Sequence, residues 1–248
     1  MTIANMPLYT HLDRIERGLA AMGIAPGDAV RPEQLFALDQ WHYHGTEAIA
    51  AAASTLGLTA ASHVLDIGAG VGGPARYLTE RTGLSGQVSF RTASALELPF
   101  DDGSFDAVLL QHVAMNISDR PRLYGEIRRV LKAGGRFATF DVVSRGGAPL
   151  YPVPWARTPA TSFLLTAAAT REAIEPAGFR TLAWQDDTEA AKAWIAELRT
   201  AGPPPSPNLG VVMGADFAQL ATNLGRNLVE GRLGILMAVL EAVAISTR

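Results

Sequence analysis

A short apolar run, a glycine-rich turn and a helix follow one another directly, and this succession constrains the fold more than any other feature. The apolar run is 63–67, the turn 68–73 contains four glycines, and Pro74 follows at a first-turn helical position. Glycines allow backbone to approach a ligand closely, and the N–H groups of the next helix point toward that ligand. The succession predicts the first unit of a nucleotide-binding α/β fold. The alternative is a turn that serves only tight packing of strand against helix.

Strands and helices continue to alternate after this unit. Apolar runs predict strands, and periodic segments that end at glycine predict helices. The strands are expected at 88–91, 105–110, 136–143 and 179–184, and the helices at 46–56, 119–131 (capped by Ser118), 170–177, 188–200 and 216–243. We therefore predict a single α/β domain in 1–248, with a helical lid at 1–57, an α/β core at 58–200 and a helical extension at 201–248.

Composition excludes several classes of function. The chain of 248 residues has a formal charge of -3 and no basic run, which argues against wrapping nucleic acid. It contains no cysteine, so disulfides, thiolate metal sites and a cysteine nucleophile are excluded. The N-terminus lacks the pattern of a secretory signal, and the apolar stretch 233–245 is too short to span a bilayer. We expect a soluble, cytoplasmic protein without nucleic-acid or membrane partners, whose C-terminal helices either cap a pocket or form a homodimer face.

Three motifs occur in order along the chain: LDIGAGVGG at 65–73, LPFDDGSFD at 98–106 and RRVLKAGGR at 128–136. This set resembles class I S-adenosylmethionine-dependent methyltransferases, in the small-molecule branch with the ubiquinone/menaquinone, tocopherol and sarcosine/dimethylglycine methyltransferases. The resemblance covers roughly residues 38–232. It implies a Rossmann-like sheet with helices on both faces, S-adenosylmethionine as cofactor, and methyl transfer to an N, O or C atom of a small-molecule acceptor.

The resemblance also implies where the cofactor binds. Asp66 falls near the methionine end of the cofactor, the turn glycines pass under its sugar and methionine, and Ser94 faces the adenine amine, where many relatives carry Asp. Residues 39–45, DQWHYHG, resemble the segment that forms a lid over the cofactor, and their alternative role is the start of a helix with stacked aromatics. The implied cofactor-binding residues are Gln40, Asp66, Gly68, Ala69, Gly70, Gly72, Ser94, Ala95, Leu96 and Gln111.

His112 is the candidate catalytic residue, because the family's fourth strand ends beside the reacting methyl group at 111–113. Methyl transfer mainly requires alignment of the reactants, and a histidine base helps only where the acceptor loses a proton. The alternative is a histidine that orients the cofactor or simply packs. No carboxylate accompanies His42, His44 and His112 at ligand spacing, so we predict no metal site. Residues 151–155, YPVPW, either shape the acceptor pocket or form a rigid connector.

The chain departs from the family after the glycine turn. In a nucleotide site of this kind an acid at the end of the second strand binds the ribose hydroxyls, but residues 88–92 contain none. Residues 74–87 have room for one crossover helix only, so the second strand is missing and 88–91 is expected beside the first strand, in a sheet of about six strands. Charge-assisted hydrogen bonds contribute about 1.5–3 kcal/mol each, so the loss of two weakens cofactor binding roughly a hundredfold or more.

The sequence leaves two rival functions open, and the missing ribose acid motivates the first of them. The first is a methyltransferase-fold protein with weakened or lost cofactor binding, which acts as a binding module or catalyses a reaction other than methylation. The second is a nicotinamide oxidoreductase, which shares the glycine turn. The downstream motifs disfavour it, and a tyrosine–lysine pair four residues apart is absent from a chain whose lysines are Lys132 and Lys192.

Overall fold

A five-stranded sheet organises the residues described by the computed structural model, which are 13–39, 43–81, 88–202 and 208–243. The strands are β1 (Val64–Ile67), β2 (Phe105–Gln111), β3 (Leu131–Ser144), β4 (Phe179–Asp186) and β5 (Leu233–Ala242), in the spatial order β1-β2-β3-β5-β4. The first three strands run parallel to one another, and β5 is antiparallel to both β3 and β4. The carboxyl ends of β1, β2 and β3 therefore meet at one edge of the sheet.

The two faces of the sheet are covered by different helices. The helices are α1 (Asp13–Ala21), α2 (Pro32–Asp39), α3 (Gly45–Leu56), α4 (Gly73–Arg81), α5 (Arg120–Val130), α6 (Ala167–Ile174), α7 (Thr188–Thr200), α8 (Leu209–Met213) and α9 (Phe217–Val229). Val108 and Leu110 of β2 share a buried cluster with α5 and α6, whereas Ala107 and Leu109 share one with α3 and α4. Because successive strand side chains point to opposite faces, both faces are covered. The predicted Rossmann-like α/β fold is confirmed.

The strand expected at 88–91 is not formed. Residues 88–93 take part in no strand of the described sheet, and Val88 and Phe90 are 41% and 58% exposed. The apolar side chains of this run are exposed, so the run has no buried face that would hold it against the sheet. The described sheet therefore has five strands, with β1 at its end.

The helix predicted over 216–243 is wrong in its second half. Helix α9 ends at Val229, Gly231 follows with a φ of 69°, and β5 begins at Leu233. β5 lies between β3 and β4 and is buried on both faces, so its sequence is a nearly continuous apolar run without a period of two. Such a run cannot be distinguished from a buried helix by periodicity. The tail thus contributes an interior strand to the core as well as a helix.

Two smaller boundaries also differ from expectation. Asp119, rather than Ser118, caps α5, because its side chain accepts a hydrogen bond from Arg122 N at 3.0 Å. The strand after α5 begins at Leu131, ahead of Gly134 and Gly135, which lie within it. In the described parts of the chain, none of the helices has the length and hydropathy needed to cross a bilayer.

Candidate functional site

Asp66 stands near the carboxyl end of β1, one residue before Ile67 and the glycine-rich turn. Its Oδ2 atom is buried and has no hydrogen-bond partner. Burial raises the pKa of Asp66 to about 7. A carboxylate oxygen that is buried without a partner is costly, so Asp66 has hydrogen-bonding capacity for a bound molecule.

The glycine-rich turn adopts a backbone that other residues rarely take. Gly68, Gly70 and Gly72 have φ values of 78°, 56° and 83°. A Cβ on Gly68 would lie 2.3 Å from Val113 Cγ2, and one on Gly72 would lie 2.4 Å from Phe90 Cζ. Backbone conformation therefore favours glycine at all three positions, and close packing against Val113 adds a second requirement at Gly68. This geometry supports tight packing, one of the two roles predicted for the turn, and close approach of a ligand stays a prediction.

Gln111 is the last residue of β2. Its side chain lies on the same face of the sheet as that of Asp66, because Asp66 is in register with Leu109 and side chains two residues apart in a strand share a face. Its Oε1 and Nε2 atoms are both buried without a hydrogen-bond partner. The side chain borders a small gap between α3 and the sheet. A buried polar group left unpaired costs about 1–3 kcal/mol, so Gln111, like Asp66, has hydrogen-bonding capacity for a bound molecule.

His112 follows Gln111 in a strained backbone conformation. Its φ is 53°, and among the described residues other than glycine only His44 also has a positive φ. Its N–H donates to Phe140 O at 2.8 Å. The imidazole lies 5.3 Å from the Phe140 ring and 5.7 Å from the Tyr43 ring, measured between centroids. The candidate catalytic residue is thus held among aromatic rings at the carboxyl edge.

Part of the predicted lid reaches this edge. Tyr43 is buried, and its ring meets Trp194 of α7 edge-on at 5.9 Å. His44 Nε2 lies 3.3 Å from Asp187 Oδ2. Burial raises the pKa of Tyr43 well above its usual range. Gln40, Trp41 and His42 lie outside the described residues, so the predicted roles of Gln40 and the segment's centre stay predictions.

A buried ion pair connects the start of the lid to the helix after the turn. Arg76 Nη2 of α4 lies 2.8 Å from Asp39 Oδ2 at the end of α2. Asp39 is 6% exposed as a residue. This pair was not predicted from the sequence, and neither were the contacts of Trp194 and Asp187, because in each case the partner is distant in the chain.

The predicted adenine-side residues lie in a turn held against α5. Ser94 is exposed, and its Oγ accepts from Leu96 N at 3.2 Å. Arg122 Nε donates to Leu96 O at 2.8 Å. Ala95 and Leu96 pack against the hydrophobic cluster that contains Ile67, which is also the cluster against which Val113 packs. The turn at 94–96 and Val113, which follows His112, therefore pack against the same hydrophobic cluster.

The proline-rich segment after β3 forms part of an apolar cluster at the same edge. Val153 and Trp155 are buried together with Tyr43, Met115 and Phe140. Trp155 Nε1 donates to Ser162 Oγ at 3.0 Å, which satisfies its polar atom. This placement is compatible with both predicted roles, a wall of an acceptor pocket and a rigid connector.

Part of this chain matches a known protein family. Residues 45–139 match the protein family described as "Methyltransferase domain". Over 115 residues the chain is 35% identical to methyltransferase GfsG of Streptomyces halstedii, a match that covers 37% of this chain and 41% of that protein. The chain thus spans less than half of the length of this relative.

Two solved structures share the fold over most of the chain. Geranyl diphosphate C-methyltransferase from Streptomyces coelicolor A3(2) aligns with a TM-score of 0.64 and 17% identity, over 90% of this chain and 84% of that chain. The [4+2]-cyclase SpnF aligns with a TM-score of 0.61 and 23% identity, over 81% of this chain and 82% of that chain. At these identities the likeness establishes the fold. Residues 45–139 therefore match a methyltransferase domain, and most of the chain shares the fold of these two structures.

Proposed function

We propose that this protein is an S-adenosylmethionine-dependent methyltransferase that transfers a methyl group to an N, O or C atom of a small-molecule acceptor. The observation that carries the proposal is the pair of unsatisfied polar side chains, Asp66 and Gln111, beside a glycine-rich turn inside the methyltransferase domain. The match to GfsG supports the same reaction class. When bound, S-adenosylmethionine supplies an electrophilic methyl group on a sulfonium.

The residues of this edge fit the amino-acid end of such a cofactor. Asp66 offers a carboxylate for an ammonium or sulfonium cation, and a nearby cation favours its ionised form. Gln111 offers both a donor and an acceptor. Gly68, Ala69, Gly70 and Gly72 supply backbone at close range. Residues 88–92 provide no carboxylate for the ribose hydroxyls. We therefore expect this protein to bind the cofactor more weakly than a protein with an acidic residue at the end of its second strand.

The acceptor that we propose has an apolar body. Tyr43, Met115, Phe140 and Trp155 form a cluster of buried side chains beside His112 at the edge where the methyl group would be presented. Apolar side chains of this kind are suited to contact hydrocarbon or aromatic groups of an acceptor. His112 would act as a base only for an acceptor that loses a proton, and otherwise it orients the reactants. A cytoplasmic location and a homodimer remain predictions of the sequence.

A methyltransferase fold without methyl transfer is the second candidate. The absence of an acid in 88–92 favours it, because that acid normally secures the cofactor's ribose. The likeness to a protein described as a [4+2]-cyclase shows that this fold accompanies other activities. In that case the same apolar edge would bind a substrate whose reaction needs no methyl donor.

Product analysis by mass spectrometry distinguishes the two candidates. The protein is incubated with S-adenosylmethionine and a panel of acceptors with apolar bodies that carry hydroxyl, amine or enol groups. We expect S-adenosylhomocysteine to accumulate together with an acceptor heavier by one methylene, and Asp66→Asn to reduce both. If the protein binds the cofactor and converts an acceptor without forming S-adenosylhomocysteine, the second candidate is correct.

A further inference from the structure

Two helices begin with side chains that face each other instead of capping their own helix. His44 precedes α3 and Asp187 precedes α7, and neither side chain makes a capping hydrogen bond. The imidazole Nε2 of His44 lies 3.3 Å from Oδ2 of Asp187, and the two side chains are 18% and 14% exposed. When the imidazole is protonated, they form an ion pair that joins the start of α3 to the start of α7.

This contact departs from what each helix start favours by itself. Asp is among the preferred N-cap residues, because its carboxylate accepts a hydrogen bond from an amide of the first turn. The Asp187 carboxylate instead faces His44, and its Oδ1 accepts from Gln185 Nε2 at 3.2 Å. His44 has a φ of 61°, and such strain persists only where surrounding contacts determine the conformation. Both departures serve the same contact.

Trp194 of α7 adds a second contact to the same two-residue segment. It lies seven residues after Asp187, so both side chains belong to one face of the helix, where Ala191 between them is fully buried. The indole ring lies 5.8 Å from the His44 imidazole and 5.9 Å from the Tyr43 ring, measured between centroids. Helix α7 therefore holds two successive residues at the start of α3.

Tyr43 extends this connection to the candidate catalytic histidine. Its buried ring meets Trp194 edge-on and lies 5.7 Å from the His112 imidazole. The imidazole in turn lies 5.3 Å from the Phe140 ring. Four neighbouring rings thus extend from α7 across the carboxyl edge of the sheet to β3. Because Tyr43 directly precedes His44 in the chain, the place of its ring depends on how His44 is held.

We propose that His44, Asp187 and Trp194 are positioning residues that hold Tyr43 against His112, so that α7 sets one aromatic side of the edge where the acceptor binds. The consequence for methyl transfer rests on the proposed function, because it assumes that His112 lies beside the methyl donor. The contact between the Tyr43 and His112 rings does not depend on any ligand.

Nuclear Overhauser effects between the ring protons of Tyr43 and His112 test this inference. The wild-type protein is expected to show the effect, because the two rings are neighbours. We expect the effect to be lost in Asp187→Ala and in Trp194→Ala. We expect it to be retained in Trp194→Phe, which keeps an aromatic ring beside Tyr43. This rescue separates a positioning role from a general loss of stability.

Trp184→Ala and Asp216→Ala are the matched controls. Trp184 is another half-buried tryptophan, but it lies on β4 with its ring 4.4 Å from the guanidinium carbon of Arg171. Asp216 also precedes a helix, α9, without capping it, and its carboxylate pairs with Arg157 at 2.8 Å. We expect both variants to keep the effect between the two rings.

Calorimetric titration with S-adenosylhomocysteine separates failure of this inference from failure of the proposed function. We expect Trp194→Ala to bind it about tenfold more weakly than wild type, or by about 1.4 kcal/mol, because Tyr43 belongs to the predicted lid. If the Overhauser effect persists in Asp187→Ala and Trp194→Ala, the core alone holds Tyr43 and the inference is wrong. If the effect is lost in them while wild type fails to bind S-adenosylhomocysteine, the proposed function fails and the positioning role stands.

The wild-type protein decides the matter if these variants do not fold. Overhauser effects are then expected from the Trp194 indole to both the Tyr43 ring and the His44 imidazole. Their absence would show that α7 does not hold these two residues, and would overturn the inference.

Discussion

Arg76 donates to Asp39 through Nη2 at 2.8 Å, and the Asp39 side chain is only 2% exposed. The pair joins the end of α2 to α4, the helix that begins at the glycine-rich turn. The predicted lid segment thus begins at a residue that is fixed to the helix following the glycine-rich turn. Because Arg76 is 27% exposed, the guanidinium keeps part of its contact with water.

Removing this guanidinium is expected to destabilise the protein. In Arg76→Gln the buried Asp39 carboxylate loses its ion-pair partner. We expect the free energy of unfolding, measured in urea, to fall by about 1–3 kcal/mol. This loss is smaller than the loss on breaking a fully buried ion pair, because Arg76 is partly exposed. The control is Arg17→Gln, which breaks the pair Asp13–Arg17, whose side chains are 59% and 67% exposed. That variant should change stability by less than about 0.5 kcal/mol. Equal effects of the two variants would mean that the Asp39–Arg76 pair does not anchor α2.

Asp66 should make the protein less stable as the pH rises. Its pKa is raised from 3.8 to about 7 in the folded protein, so the folded state binds this proton more tightly than the unfolded chain. Stability is therefore lost progressively between about pH 4 and pH 7. We expect Asp66→Asn to be more stable than wild type at pH 8 by roughly 4 kcal/mol, with a smaller difference at pH 5.

Thermal unfolding at the two pH values measures this difference. Asp101→Asn, at an exposed position in the turn before β2, serves as the control and should show no such dependence on pH. A variant Asp66→Asn that is less stable than wild type at pH 8 would contradict the account, because it would mean that the folded protein already satisfies this carboxylate.

Gly68 provides a test of the turn's packing. In Gly68→Ala the new Cβ would stand 2.3 Å from Val113 Cγ2 at a φ of 78°, so steric overlap adds to backbone strain. We expect a loss of about 2–4 kcal/mol in the free energy of unfolding. Gly134→Ala is the matched control: its φ is 74° and nothing lies within 4 Å of the added atom, so only strain of about 1 kcal/mol is expected.

The double variant Gly68→Ala, Val113→Ala separates overlap from strain. Removing the valine methyl groups should recover at least about 1 kcal/mol of the loss caused by Gly68→Ala, which a double-mutant cycle measures as coupling. Strictly additive effects would show that Val113 does not restrict the turn.

Local features of the sequence predicted the parts of this fold that depend on neighbouring residues. The run 63–67, the glycines after it and the apolar strand 105–110 are specified by short-range patterns, and each is found in the structure close to its predicted place. The three motifs in order also led to the domain later matched at residues 45–139.

Features that depend on distant partners were missed. β5 was predicted as a helix because burial between β3 and β4 removes the alternation that marks a strand. Asp39 and Arg76 are likewise joined only by the packing of α2 on α4.

Calorimetric titration of the wild-type protein with S-adenosylmethionine and S-adenosylhomocysteine tests the central claim most directly. We predict saturable binding of both with a dissociation constant below ~1 mM, which corresponds to about −4.1 kcal/mol. We also predict weaker binding in Asp66→Asn and in Gln111→Ala, with Asp101→Asn unchanged. Absence of binding at millimolar ligand in a folded wild-type protein would contradict the account.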